Sequence, residues 1–308
     1  MENLKKVVIF KGSGKIFCAG GDVKEIVSLN IEDTKEAYRS AGRTFDLLSK
    51  YKIPFITLVD GLAMGGAATF AVPARYRVAT ERTSFGMPET AIGYFNDAGG
   101  SFFLPRLPRN FGVYLGMTGV RVNGFDMIKV GLSSHYVESS KLEDLEKQLV
   151  DCKGHDEVSK VLQKYETQPE NIETELDAIL PKIDSCFGAS TVEEIFERLG
   201  SDGSDWAVKT LATLNKMSPT SLKVTHRSIN LGRSMTLRQC MNMEYRLVIQ
   251  HNIKSDLKEG CRAVLIDKDF KPKWDPKTLE EVTEEKVARF FMPMPNEFIF
   301  KTEASNKL

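Results

Sequence analysis

Three short apolar runs constrain the fold of this chain more than any other feature of its sequence. They are KKVVIF at 5–10, PFITLV at 54–59 and RYRVAT at 75–80. Short runs that are rich in β-branched residues and bounded by turn signals are typical of buried strands. Helical patterns at 34–48 and 66–72 lie between these runs. Strands that alternate with helices predict an α/β layer architecture.

From about residue 140 the sequence takes on a helical character. Apolar residues recur there at helical spacing, and several segments open with capping sequences. The signals are an apolar stripe after His155, capping sequences at Ser190, Ser218 and Thr236, and loops at 166–172 and 200–205. We therefore divide the chain into a core over residues 1–140 and a mainly helical region over residues 141–308.

Composition and charge exclude several classes of function. Lys plus Arg and Asp plus Glu both number 42, so the chain has no net basic field that would attract nucleic acid. The five cysteines are scattered without a CxxC pair, which indicates free thiols in a reducing compartment. No apolar run reaches the roughly 20 residues of a membrane span. We therefore predict neither a nucleic-acid partner nor membrane insertion, and no transit peptide is visible at the N-terminus.

Two glycine loops open predicted helices directly after predicted strands. They are Gly20-Gly21-Asp22 and Met64-Gly65-Gly66. Helix starts carry free backbone N–H groups, and glycine lets a ligand oxygen approach them closely. Donors of this kind stabilise a developing oxyanion. The structural alternatives are a plain strand-to-helix turn with Asp22 as its N-cap, and close packing of helix on strand at the second loop.

Glu89 and Asp97 lie eight residues apart and flank the aromatic pair Tyr94-Phe95. A carboxylate near apolar groups has a raised pKa, which suits general acid–base work, and it can also attack an acyl carbon directly. The structural alternative is that Glu89 caps the turn after Pro88 and Asp97 starts the turn into Gly99-Gly100. Together with the glycine loops, the pair indicates an acyl-transfer site.

Other catalytic motifs fail on inspection. Gly12-Ser13-Gly14 lacks the third glycine of a dinucleotide fingerprint, and the chain has no Gly-x-Ser-x-Gly nucleophile elbow. The four histidines are isolated and lack metal-ligand spacing. Cys18 is predicted to be a small buried hydrophobic residue.

Eight motifs follow one another along the chain. They are FCAGGD at 17–22, MGG at 64–66, MPETAIGYFNDAGG at 87–100, FLPRL at 103–107, GLSSH at 131–135, MSPTSLK at 217–223, MEYRL at 243–247 and EGCRAVLIDKD at 259–269. Together they resemble the crotonase (enoyl-CoA hydratase/isomerase) superfamily, and within it the 3-hydroxyisobutyryl-CoA hydrolase branch. The resemblance covers about residues 5 to 290.

The resemblance implies a spiral of ββα units, with the acyl-CoA site in the core and a helical region after it. It also implies that the N-terminal part of the spiral, ahead of the first glycine loop, is missing from this chain. Members of the family usually assemble as oligomers, so we expect a homo-oligomer. The resembled hydrolase is mitochondrial, which implies the mitochondrial matrix as the location.

By resemblance, the N–H groups of Gly21 and Gly66 are the oxyanion donors, and Glu89 and Asp97 are the acidic residues. The implied reaction is hydrolysis of 3-hydroxyisobutyryl-CoA, a step of valine catabolism. No metal or redox cofactor is needed, because CoA enters as part of the acyl-CoA substrate. The second glutamate of a hydratase falls on Thr69 here, which favours hydrolysis over hydration.

Departures from the family pattern keep two other functions open. Asn96 stands in place of a usual proline, and the hydrolase branch's Glu-Tyr-x-x-Asn pattern is absent around Ala41-Gly42-Arg43. One alternative is a catalytically inactive crotonase-like paralogue or CoA-binding oligomer subunit. The other is an enoyl-CoA hydratase or isomerase.

Overall fold

The structure is a computed structural model that describes residues 6–167, 173–253 and 255–294. Its strands form two four-stranded sheets with the orders β1-β3-β5-β8 and β2-β4-β6-β7. All neighbours are parallel except the antiparallel pair β6 and β7. The strands are β1 Val8–Lys11, β2 Ile16–Cys18, β3 Phe55–Val59, β4 Leu62–Met64, β5 Tyr76–Ala79, β6 Ser84–Gly86, β7 Val122–Asn123 and β8 His135–Tyr136.

Helices occupy most of the remaining described chain. The α-helices are α1 Val23–Ile26, α2 Ile31–Ser49, α3 Ala68–Ala71, α4 Gly100–Phe103, α5 Phe111–Thr118, α6 Gly124–Lys129, α7 Leu142–Val150, α8 His155–Tyr165, α9 Glu175–Phe187, α10 Val192–Asp202, α11 Asp205–Leu214, α12 Pro219–Gly232, α13 Leu237–Ile253, α14 Ser255–Cys261 and α15 Glu284–Phe291. Short 3-10 turns include Gly65–Ala67 and Glu89–Ile92, and Arg262–Ile266 is π-helical. Among the described helices, none is long and apolar enough to cross a membrane.

Each consecutive pair of the first six strands sends one strand to each sheet, and helical segments follow the first two pairs. This ββα repeat confirms the predicted architecture of a parallel α/β core followed by helices. In the first sheet, Val8 to Lys11 pair in register with Phe55 to Leu58, and Ile56 to Val59 pair with Tyr76 to Ala79. The central strand β3 is therefore buried along its whole length, which explains its unbroken apolar run.

The chain forms two compact units. The first comprises Met1–Gly20, Phe45–Gly86 and Arg121–Leu180 and holds both sheets. One of its cores packs α7 and α8 with the first sheet, through Ile56, Leu58, Tyr76, Val78, Leu145, Leu149, Val158 and Leu162. The second unit comprises Gly21–Thr44, Met87–Val120 and Pro181–Leu308 and is mainly helical. The division of the chain at residue 140 stays a prediction.

The predicted strands are confirmed with shorter bounds, as β1, β3 and β5. Lys5, the first residue of the first predicted strand, lies outside the described residues. The sequence analysis missed the second sheet. Its strands have only two or three residues each, which is too short for a two-residue alternation to show.

Capping signals located most of the predicted helix starts. Asp22 and Ser218 cap α1 and α12 through their side chains, and Thr236 exchanges hydrogen bonds with Gln239. The prediction at Ser190 is wrong by one residue, because Thr191 is the N-cap of α10 and accepts from the Glu194 N–H.

Two smaller predictions, the extent of one loop and the burial of Cys18, differ from the structure. The loop at 200–205 is too long, because α10 continues to Asp202. The loop at 166–172 falls largely outside the described residues. Cys18 is partly exposed, so its predicted burial is wrong. It ends β2, a short strand in which only the central Phe17 is buried.

Candidate active site

Glu89 begins a 3-10 turn, Glu89–Ile92, that tertiary hydrogen bonds hold from two sides. The Thr90 hydroxyl donates to the carbonyl of Met117 over 3.0 Å. The Ser218 N–H donates to the carbonyl of Thr90 over 3.2 Å. Because the turn is fixed this way, the Glu89 side chain is held in the protein interior, where only 6% of its surface is exposed.

Gly93 ends this turn in the left-handed region, with φ of +70°. A Cβ atom at this position would overlap the carbonyl group of Asp256 on α14. A few residues further along α14, a Cβ atom on Gly260 would likewise overlap the backbone of Ile92. Two glycines therefore allow α14 to lie directly against the turn that carries Glu89.

Replacing Gly93 with alanine should destabilise the protein by about 2–5 kcal/mol. A left-handed conformation costs a non-glycine residue roughly 1–2 kcal/mol, and overpacking adds roughly 1–3 kcal/mol. Gly14→Ala is the matched control, because Gly14 has φ of +65° and nothing within 4 Å of its Cβ position. In urea unfolding, the control should lose only the smaller part of the unfolding free energy, the part due to the left-handed conformation. Equal losses in both variants would show that the contact with Asp256 is unimportant.

Glu89 receives one hydrogen bond from the side chain of Asn96. The Asn96 Nδ2 atom donates to Glu89 Oε2 over 2.8 Å. The pKa of Glu89 is raised to about 8, first because burial removes water from the charged form and second because the charge of Asp97 repels it. The hydrogen bond from Asn96 acts in the opposite direction. The carboxyl group can therefore exchange a proton near neutral pH.

Asp97 follows on the same loop and is partly exposed. Its Oδ2 atom accepts a hydrogen bond from the Tyr94 hydroxyl over 3.3 Å. Burial among protein atoms and the charge of Glu244 raise the pKa of Asp97 to about 7, while the Tyr94 hydroxyl opposes the shift. The structure thus brings both predicted carboxylates together as a pair whose charges oppose each other.

Glu244 is a third carboxyl group at this site, and the sequence analysis gave it no role. It lies on α13 with no exposed surface. Its Oε1 atom accepts from the N–H and hydroxyl of Ser101, over 2.9 Å and 2.6 Å. Its Oε2 atom accepts from the Gly99 N–H over 3.1 Å and the Tyr38 hydroxyl over 2.6 Å. Glu244 therefore anchors the start of α4, just after Asp97.

Aromatic rings form an apolar wall beside the pair. The His251 ring lies 5.3 Å from the Tyr94 ring, 5.1 Å from the Phe95 ring and 4.8 Å from the Phe290 ring, measured between centroids. Burial lowers the pKa of His251 to about 4. The imidazole is neutral at physiological pH and adds no positive charge that would stabilise the carboxylates.

Gly20, the first residue of its glycine loop, meets the other glycine loop within the first unit. Gly20 has φ of +86°, and a Cβ atom there would lie 2.9 Å from the carbonyl oxygen of Met64 and 3.2 Å from the nitrogen of Gly66. Gly66 lies in the first turn of Gly65–Ala67, where N–H groups lack helical partners. Gly20 therefore allows the first loop to lie directly against the backbone of Gly66.

Gly21 immediately precedes Asp22, whose side chain accepts from the N–H groups of Lys24 and Glu25. The predicted N-cap role of Asp22 is confirmed. Gly21 belongs to the second unit and Gly66 to the first. The roles of Gly21 and Gly66 as oxyanion donors stay predictions. No cluster of three or more His, Cys, Asp or Glu side chains in the described residues could hold a metal ion.

The ββα topology of the two sheets is that of the crotonase class. The chain belongs to the enoyl-CoA hydratase/isomerase family, which matches residues 2–291. Two solved structures share its fold closely. A carnitinyl-CoA dehydratase from Mycobacterium thermoresistibile has a TM-score of 0.88 and 29% identity, covering 95% of this chain and 85% of that one. An enoyl-CoA hydratase from Rhodobacter sphaeroides has a TM-score of 0.86 and 30% identity, covering 96% and 86%.

Curated relatives are more similar in sequence than these structures. The mitochondrial 3-hydroxyisobutyryl-CoA hydrolase of Gallus gallus is 44% identical over 299 residues, which is 94% of this chain and 78% of the relative. The Homo sapiens protein of that name is 43% identical, covering 92% and 76%. A probable 3-hydroxyisobutyryl-CoA hydrolase from Arabidopsis thaliana is 41% identical, covering 95% and 81%.

Proposed function

We propose that this chain hydrolyses the thioester of 3-hydroxyisobutyryl-CoA to 3-hydroxyisobutyrate and CoA, a step of valine catabolism. Relatives with this name are 40–44% identical over 92–95% of the chain. The observation that carries the proposal is the carboxyl pair, in which Glu89 is buried with a pKa of about 8 and Asp97 has a pKa of about 7. Such a pair can accept and return a proton at physiological pH.

Glu89 has two chemically balanced routes to the same products. In the first, its carboxylate adds to the acyl carbon, the C–S bond breaks, and the departing CoA thiolate takes a proton. Water then cleaves the resulting anhydride and restores the carboxylate. In the second, Glu89 takes a proton from a water molecule as that water adds to the acyl carbon, and the proton passes to the thiolate.

The remaining predicted residues have supporting roles in this proposal. The N–H groups of Gly21 and Gly66 polarise the thioester carbonyl, as donors at an oxyanion would. Support for this comes from their place at helix starts and from the close approach of Gly20 to Gly66. Asp97, which is partly exposed, orients the substrate hydroxyl or the attacking water.

Hydration of an enoyl-CoA is the second candidate, because the solved relatives include a hydratase and a dehydratase. Thr69 argues against it. This residue is buried on α3 and occupies the position at which the hydratase pattern has its second glutamate. A threonine hydroxyl cannot replace a carboxylate in acid–base work near neutral pH.

Hydrolysis and hydration are distinguished by assaying both reactions on one preparation. Release of free CoA thiol from 3-hydroxyisobutyryl-CoA should be fast, and loss of the enoyl absorbance of crotonyl-CoA should be slow or absent. Isotope analysis identifies the first route when water opens the anhydride at the Glu89 carboxyl carbon. After turnover in H₂¹⁸O, label in the Glu89 side chain then shows attack by Glu89 on the acyl carbon.

Assembly and location are part of the same proposal. We expect a homo-oligomer, which sedimentation analysis would detect. The vertebrate relatives are named mitochondrial, and the reducing character of the cysteine pattern agrees with the mitochondrial matrix. Import of the natural gene product fused to a fluorescent reporter tests this location.

A further inference from the structure

Asn96 is placed so that its side chain can act only as a donor toward Glu89. Its Nδ2 atom lies 2.8 Å from Glu89 Oε2 and 3.3 Å from the carbonyl oxygen of Met87. A backbone carbonyl can only accept hydrogen bonds, so the amide nitrogen must face these two oxygens. The orientation of the amide is therefore fixed by the backbone and does not depend on the charge of Glu89.

Among the described residues, the amide oxygen of Asn96 has no hydrogen-bond partner, although only 1% of Asn96 is exposed. It lies against Gly116 on α5, where a Cβ atom would be 2.5 Å away. Leaving a buried acceptor unpaired destabilises a fold. A residue that keeps one donor satisfied at this cost is a candidate for function, because an apolar side chain would pack the same space without the loss.

We propose that Asn96 is a positioning residue for Glu89: its amide fixes Oε2 and presents the other carboxylate oxygen, Oε1, to the acyl carbon or to water. The proposal rests on the hydrolase function proposed above. Because the amide donates to the carboxylate, it also favours the ionised form of Glu89, which is the form that attacks or accepts a proton. Asn96 thereby lowers the pKa of Glu89, against the increase that burial and the charge of Asp97 cause.

Several titratable groups lie around Glu89, and among them the charge of Asp97 opposes its ionisation. Asp97 is the largest electrostatic contributor after burial, and the charge of Glu244 raises the pKa of Asp97 in turn. These groups are Asp97 and Tyr94 on the loop of Glu89, Tyr38 on α2, Glu244 and the neutral His251 on α13, and Asp256 on α14. Asn96 is thus a neutral donor that partly offsets the effect of the Asp97 charge on Glu89.

Two variants test this role on the whole chain. Asn96→Ala removes the donor, and the isosteric Asn96→Asp replaces it with a second acceptor while keeping the shape. Both should lower kcat at pH 7 about tenfold or more, since hydrogen bonds to charged groups are worth roughly that factor. Both should also move the acid limb of the pH–kcat profile to higher pH, with Asp moving it further than Ala. Ser221→Ala is the control, because it removes a buried hydroxyl on α12 that has no partner among the described residues. It should leave the acid limb at its wild-type pH.

A titration that needs no turnover completes the test. Infrared difference spectra can follow the protonated carboxyl band that is lost in Glu89→Gln, and its midpoint should rise in both Asn96 variants. An unchanged midpoint in a folded variant overturns the positioning role, even if kcat falls. If the wild-type chain releases no CoA, the hydrolase function fails, while the infrared midpoints still decide the contact between Asn96 and Glu89.

Discussion

Replacing Glu89 with glutamine should lower kcat for hydrolysis of 3-hydroxyisobutyryl-CoA by about a thousandfold or more. A positioned general base contributes roughly 10²–10⁴-fold, and loss of a nucleophile costs at least as much. Glutamine keeps the shape of the side chain but can neither attack the acyl carbon nor take a proton from water. Release of free CoA thiol measures the effect. Glu143→Gln, which changes a side chain that is 83% exposed, should retain full activity.

The same substitution should change how stability depends on pH. Folding raises the pKa of Glu89 from its ordinary value of 4.5 to about 8, so the folded state binds more protons than the unfolded state between these values. Its contribution is fully present below pH 4.5 and is lost as the pH rises through 8. In urea unfolding, the free energy of unfolding of Glu89→Gln should therefore increase relative to that of the wild type as the pH rises from 5 to 8.5. A constant difference across that range would contradict the raised pKa.

Replacing Asp97 with asparagine should lower kcat about a hundredfold, within the range found for a positioned acid–base residue. Asparagine can still accept the hydrogen bond from Tyr94, but it cannot carry the negative charge or take a proton. The variant should keep its fold, because the side chain is only partly buried. Asp151→Asn, at an exposed position after α7, is the matched control and should leave kcat unchanged.

The pH profile distinguishes a direct role of Asp97 from a purely electrostatic one. The charge of Asp97 raises the pKa of Glu89, so Asp97→Asn should move the acid limb that belongs to Glu89 to lower pH. This shift has the opposite sign to that expected for the Asn96 variants. If Asp97 acted only through that charge, its removal would raise activity at low pH. A loss of kcat at every pH indicates a direct role in the reaction.

Local sequence signals were sufficient for three strands of the first sheet, β1, β3 and β5, and for several helix starts. The buried strand β3 and the caps at Asp22 and Ser218 follow from short-range rules that act within a few residues. The second sheet could not be predicted from such rules, because strands such as Ile16–Cys18 gain their stability from neighbours far along the chain. The offset at Ser190 has a local origin, since Ser190 and Thr191 are adjacent and both residue types are good N-caps.

In the candidate site, the sequence identified the residues that belong to recognisable motifs. Glu89 and Asp97 share one segment, and in the structure the charge of Asp97 raises the pKa of Glu89. Glu244 lies about 150 residues away and reaches the site only through tertiary packing. Its available signal was its place in the MEYRL motif at 243–247, between Met243 and Tyr245; buried carboxyl groups are rare unless they are hydrogen-bonded.

Asn96 illustrates a different limit of sequence reasoning. In the sequence it counted as a departure from the family pattern, and therefore against activity. The structure shows that its amide contacts Glu89 directly. The meaning of a single substitution depends on which atoms it brings within hydrogen-bond distance, and only the folded chain provides that information.

The most direct test of the account is release of CoA from 3-hydroxyisobutyryl-CoA by the purified 308-residue chain, with Glu89→Gln purified and assayed alongside. We expect steady turnover by the wild-type chain and its near-complete loss in the variant. Circular dichroism should show that both proteins are folded. Equal release by both proteins would contradict the role of Glu89. No release from a folded wild-type chain would contradict the hydrolase function and favour a CoA-binding protein without catalysis.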